Sequence, residues 1–228
     1  MVDGLRRFRC KDARKGRGAR RIGKIDTMRR EQCTTRGGKR RCKWITYFKG
    51  HVVPTKKLRT EPLPPPSGKI WVHSIHYNET YKIKIFNRAG GLSDASLARL
   101  DTGFRCRRTR QTRAVDSRLM VILSHIYDRW PGKRIELVSG FRFQTNEGSR
   151  HYHAAAMDIR IPGVDAKDLY EFAETLDRGG MGIGIYPFAK FVHIDFRAPG
   201  SPSYRWVDIS PKNYAERGRE VSGRAVSK

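Results

Sequence analysis

Ser149-Arg150-His151-Tyr152-His153-Ala154-Ala155-Ala156-Met157-Asp158-Ile159-Arg160-Ile161 is the stretch that decides the fold. From Met157 it alternates. Met157, Ile159 and Ile161 are apolar; Asp158, Arg160 and Pro162 are not. A period of two predicts a strand with one face in a core. Asp158 then opens the polar face, and His151 lies in the loop leading into the strand. A second alternating stretch, Phe191-Val192-His193-Ile194-Asp195-Phe196-Arg197, turns Val192, Ile194 and Phe196 to the core and places His193 and Asp195 together on the other face. If the two strands pair, His151, Asp158 and His193 converge on one metal ion. The same spacing also fits a core-edge histidine and a strand-end aspartate.

Two imidazoles and one carboxylate suit Zn2+, and three protein ligands leave a fourth position for water, the pattern of a catalytic rather than a structural site. A metal there brings the pKa of water toward ~7.

The spacing Ser149-x-His151-x-x-Ala154-x-Ala156-x-Asp158 resembles the S-x-H-x-x-G-x-A-x-D motif of the zinc D-Ala-D-Ala carboxypeptidases and L-alanyl-D-glutamate endopeptidases, whose fold hedgehog signalling domains share. Val138-Ser139-Gly140-Phe141-Arg142 is similar to the upstream S-G-Y-R motif of that family. Phe191-Val192-His193-Ile194-Asp195 is similar to the F-V-H-V-D ending of its murein endopeptidase K branch, and Gly179-Gly180-Met181-Gly182-Ile183-Gly184-Ile185-Tyr186 to its G-G-V-G-Y-Y turn and strand. The resemblance runs from about Ile70 to Trp206. It implies an α+β fold, a small antiparallel sheet with flanking helices carrying a zinc site, and a zinc-dependent hydrolase that cuts an amide bond in the peptide stems or cross-links of peptidoglycan. The implied ligands are His151, Asp158 and His193. Arg142 becomes a cation for a substrate carboxylate or a developing oxyanion, since a guanidinium grips such oxygens with two parallel hydrogen bonds.

Two positions depart from the motifs. Ala154 replaces a glycine, which asks the backbone there to stay at negative φ. Lys190 stands three residues before the last ligand, where many relatives carry Asp or Glu. The base is therefore open. Asp195 serves either as that base or as a carboxylate orienting the His193 ring, a support that metal sites commonly need. His153 or Tyr186 can stabilise a tetrahedral intermediate, and Ser149 and Tyr186 are candidates for substrate binding.

Charge adds a second theme. The 228 residues carry 48 Lys+Arg against 22 Asp+Glu, a formal charge of +26. Residues 1–65 hold 21 basic and 5 acidic residues, a net of +16. Such a field attracts polyanions, so the basic segment predicts an anionic envelope polymer, or nucleic acid, as partner. No nucleic-acid-binding motif is visible. A zinc-bearing interaction domain without catalysis is the other alternative. No run of 18 apolar residues predicts a membrane span, and Met1-Val2-Asp3-Gly4 has no apolar signal core. The expectation is a periplasmic or extracellular place with the export signal removed, the alternative being a cytosolic protein.

The chain divides into a basic extension (1–60), a proline-rich linker (61–68), the catalytic domain (69–210) and a polar tail (211–228). In the extension, Trp44 to Phe48 reads as one short strand, Cys33 and Cys42 can close a small hairpin, and a disordered basic tail is the alternative reading. The four cysteines, Cys10, Cys33, Cys42 and Cys106, allow two disulfides. Ile70 to Asn87 predicts a hairpin turning at Asn78-Glu79, with His73 and His76 as ordinary strand histidines. Helices are predicted over Ser93 to Leu100, Asp116 to Trp130 and Val164 to Leu176. The acids Asp168, Glu171, Glu174 and Asp177 read as a solvated face, and Tyr204-Arg205-Trp206 as a cover for the core.

Overall fold

The alternation at Met157 and Phe191 is met by two neighbouring antiparallel strands. In the computed structural model, which describes residues 26–144 and 146–210 and only the backbone of residue 30, Asp158 pairs with His193 and Met157 with Ile194. The expectations for residues 1–25, Cys10 among them, and for the tail from Pro211 lie outside the described residues.

The elements in chain order are β1 (Asp26–Arg36), β2 (Lys39–Val52), β3 (Lys69–Ser74), β4 (Glu79–Lys84), α1 (Asp94–Gly103), α2 (Ser117–Arg129), β5 (Ile135–Ser139), β6 (Ala156–Arg160), α3 (Ala166–Thr175), β7 (Met181–Tyr186), β8 (Phe191–Phe196) and β9 (Tyr204–Asp208). All nine strands form one sheet in the order β1-β2-β9-β7-β8-β6-β5-β3-β4. The α+β class holds, but the sheet is neither small nor purely antiparallel. β3 runs parallel to β5, and β7 to β9. β4, α1 and α2 lie between β3 and β5, and β8 with its flanking turns lies between β7 and β9, which gives the chain room for parallel crossovers.

The helices start where short polar side chains can accept the free N–H groups of a first turn. The Ser93 hydroxyl accepts from Ser96 N, the Asp116 carboxylate from Arg118 N, and the Asp165 carboxylate from Lys167 N. Leu119, Met120, Ile122, Leu123 and Ile126 of α2, with Leu169 and Ala173 of α3, are buried against one face of the sheet, on Ile70, Val72, Met157, Ile159, Ile183, Val192 and Ile194. Each of these leucines, isoleucines, valines and methionines contributes roughly 1.5–3 kcal/mol by leaving water. Asp158, His193 and Asp195 are on the opposite face by the period-two rule.

Four expectations need correction. The N-terminal segment forms two long strands rather than one short one. β2 covers 14 residues, and its end pairs with β9, joining the hairpin to the catalytic sheet. The Cys33–Cys42 disulfide lies within this hairpin at directly opposed positions. Cys106 is a free, buried thiol, not half of a second disulfide. Its Sγ accepts from Phe143 N at 3.4 Å. Asp177 is not on a solvated face. Asp177 is fully buried and bonds Arg205 at 2.6 Å, and Glu174 bonds the same guanidinium at 3.0 Å. Arg205 of β9, 3% exposed, draws Asp177 out of water, whereas Glu174 keeps its side chain 39% exposed. Last, Ala154 sits at φ 51°, in the left-handed region. Its N–H donates to His151 O at 3.2 Å and its carbonyl accepts from Asp116 N at 3.0 Å. That turn reverses the chain between His151 and β6, which is why a glycine suits the position.

Candidate metal centre

Asp158 lies mid-strand in β6, His193 opposite it in β8, and His151 at the start of the turn closed by Ala154. All three are buried. One ligand atom from each lies within 4.8 Å of the others. His193 Nδ1 is 2.8 Å from Asp158 Oδ1, His151 Nε2 is 3.4 Å from Asp158 Oδ2, and the two inward ring nitrogens are 3.2 Å apart.

The outward ring nitrogens have partners of their own. His151 Nδ1 donates to Gly140 O at 2.6 Å, and His193 Nε2 donates to Asp195 Oδ2 at 3.0 Å. With the hydrogens so placed, His151 Nε2 and His193 Nδ1 each present a lone pair to the same point as a carboxylate. Two lone pairs and an anion facing one another require a cation between them. The donor set therefore fits a divalent metal of the N/O-binding class.

The titration of these groups says the same. Burial works to raise the Asp158 carboxyl, but His151 and His193 hold it well below the ordinary carboxylate range. Burial lowers His151, against the pull of Asp158. Burial also opposes a charge on His193, but Asp158 and Asp195, one on each ring nitrogen, raise it to about 9. Without a metal, a proton on His193 thus supplies the positive charge that the site demands.

Two arginines flank this centre. Arg142 reaches it from the segment after β5 and donates to Asp158 Oδ2 at 2.8 Å, with its side chain 44% exposed. The same segment carries Gly140 O, and Arg142 N donates to His151 O at 3.1 Å, so one short stretch sets both residues. Arg197 lies 3.4 Å from Asp195 Oδ2. Asp195 itself is 2% exposed and sits over Gly182 of β7, where an added Cβ would stand 2.4 Å from Oδ2. The glycines of β7 serve close packing.

Other predicted site residues are placed differently. His153 is exposed and bonded through Nε2 to Glu147 O at 2.7 Å, not to any of the three. Ser149 is half-buried; its N–H donates to Asn146 O and its carbonyl accepts from Tyr152 N. His73 bonds Thr80, as an ordinary strand histidine does. Tyr186 ends β7, stacked on Phe191 with ring centroids 4.3 Å apart. Burial, with a smaller push from Asp158, raises its phenol to about 12. The sequence predicts Trp206 only as a cover for the core. The structure places its ring 5.0 Å from that of His193 and its Nε1–H on the Tyr186 hydroxyl at 3.1 Å. The available signal was Gly184, whose missing side chain leaves the space that the indole fills.

The family model for peptidoglycan L,D-endopeptidase MepK matches residues 66–199, which hold His151, Asp158, His193 and Asp195. The chain belongs to this family. It is 27% identical over 157 residues to the peptidoglycan L,D-endopeptidase MepK of Escherichia coli strain K12, covering 63% of this chain and 84% of that protein. It is 31% identical over 124 residues to the probable peptidoglycan L,D-endopeptidase MepK of Haemophilus influenzae, covering 48% of this chain and 66% of that one. No solved structure matches it. The hairpin β1–β2 and strand β9 lie outside the matched residues.

Proposed function

We propose that the protein is a zinc-dependent peptidoglycan endopeptidase that cleaves an amide bond in the peptide stems or cross-links, and that it works in the periplasm. The observation that carries this reading is the convergence of three buried donor atoms from His151, Asp158 and His193 within 4.8 Å. Family membership and the named activity of the E. coli and H. influenzae relatives support it.

His151 through Nε2, His193 through Nδ1 and a carboxylate oxygen of Asp158 would hold the zinc. When bound, zinc supplies a Lewis acid that polarises an amide carbonyl and acidifies water. Gly140 O and Asp195 fix the two rings by accepting from the nitrogens turned away from the centre. The burial of Asp195 and its bond to His193 favour this orienting role over that of the base. Arg142 spends one nitrogen on Asp158; among the described residues its other guanidinium N–H groups have no partner, and they would grip a substrate carboxylate or carbonyl oxygen. Ser149 and His153, two residues either side of His151, remain candidates for contact with substrate.

Among the described residues no helix is long and apolar enough to cross a membrane. The net charge of +16 over residues 1–65 argues for retention on an anionic envelope polymer. The comparisons support neither nucleic acid nor a non-catalytic zinc domain.

The test is digestion of purified sacculi followed by mass analysis of the released fragments. Fragments are expected, lost after chelation and restored by added zinc. Intact sacculi after incubation with the zinc-loaded protein overturn the reading.

A further inference from the structure

We propose that Tyr186 is a second catalytic group of this centre, donating its hydroxyl hydrogen to the scissile carbonyl oxygen as negative charge gathers there, with Trp206 as its positioning residue. This rests on the hydrolase reading above and adds a residue to it.

The argument begins with hydrogens. An indole has one N–H and no acceptor. Trp206 directs that N–H to the Tyr186 oxygen. The tyrosine oxygen is therefore an acceptor in this contact, and its own hydrogen must point elsewhere. Among the described residues it has no acceptor. Its ring is stacked on Phe191, nearly parallel at 19°, which favours this one orientation. The indole that holds the Tyr186 hydroxyl has its ring 5.0 Å from that of His193, which ties the hydroxyl to the wall of the centre. A donor held by a second donor, near a Lewis acid site and protonated through the neutral range, is the arrangement that stabilises a developing oxyanion.

The supports of this pair come from the part of the chain outside the family match. Trp206 is on β9 and pairs with Gly50 of β2. Gly50 has no side chain because the Tyr204 ring occupies that space; an added Cβ would stand 2.3 Å from the Tyr204 hydroxyl. Tyr204 in turn donates to Asp26 of β1 at 2.7 Å. On the other side, a Cβ on Gly184 would stand 2.0 Å from the indole. The basic hairpin thus braces one wall of the centre, in addition to any role its charge has.

The experiment compares wild type, Y186F, W206F and the double variant on a soluble cross-linked muropeptide, with thermal melting and zinc content measured for each. Wild-type cleavage reports on the hydrolase reading by itself. Y186F is expected to lose kcat by about 100-fold, the low end for removing one oxyanion donor, with KM, Tm and bound zinc kept. W206F is expected to lose about tenfold, through a hydroxyl no longer held in place, and nothing further in the Y186F background. A Y186F enzyme within twofold of wild type in kcat overturns the proposal. So does a loss matched by a fall in Tm or in bound zinc, or a W206F effect of full size when Tyr186 is already phenylalanine.

Discussion

Asp195 stands two residues beyond His193 on β8, and its carboxylate accepts from the ring nitrogen that faces away from Asp158, at 3.0 Å. The bond decides which nitrogen of His193 is left for a metal. It also removes Asp195 from solvent, because the carboxylate fills the space above Gly182.

D195N is therefore expected to weaken zinc binding by about 10–100-fold, the usual effect of losing a carboxylate behind a ligating histidine. Competition with a chromogenic chelator measures it. Zinc affinity equal to wild type would remove the orienting role.

The proton on metal-free His193 competes with zinc for Nδ1. Its folded pKa of about 9 lies above the ordinary 6.5, so the proton stabilises the metal-free fold fully below pH 6.5. That contribution fades as pH rises through 9. Zinc affinity is expected to move the opposite way, rising about tenfold per pH unit up to pH 9 as one proton is released per ion. Titration calorimetry in buffers of different ionisation enthalpy, with melting curves of the metal-free protein from pH 6.5 to 9, checks both signs.

Asp177, with no exposure, holds Arg205 through a 2.6 Å bond, and also accepts from Ser203 Oγ and Gly179 N. D177A leaves a buried guanidinium short of its main counter-charge and is expected to destabilise the protein by about 3–5 kcal/mol. The paired change D177L/R205M, which removes both charges, should cost less. Urea unfolding distinguishes them.

Lys190 occupies the turn between β7 and β8 at φ 55° and is exposed. A side chain in the left-handed region is strained, although glycine also loses more entropy on folding. K190G is expected to raise stability by about 0.5–1 kcal/mol and leave the hydrolysis rate unchanged. A large loss of rate would give Lys190 a part in the chemistry.

Some of this was readable from local pattern. The period of two at Met157 and at Phe191 turned Asp158, His193 and Asp195 away from the core, and capping residues Ser93, Asp116 and Asp165 marked the three helices. These are properties of a few neighbouring residues, because strand geometry alone sets where a side chain points. What local pattern left open was who meets whom. The register that sets Asp158 opposite His193, the choice of Asp195 as a ring partner, the capture of Asp177 by Arg205, the unpaired state of Cys106 and the arrival of Trp206 over Gly184 all join residues distant along the chain. Pairing register and burial across the whole sheet settle such contacts, and no short window of residues contains that information. Even the reversal at Ala154 belongs to this class: its positive φ is imposed by the need to bring His151 back over β6, against the preference of alanine itself.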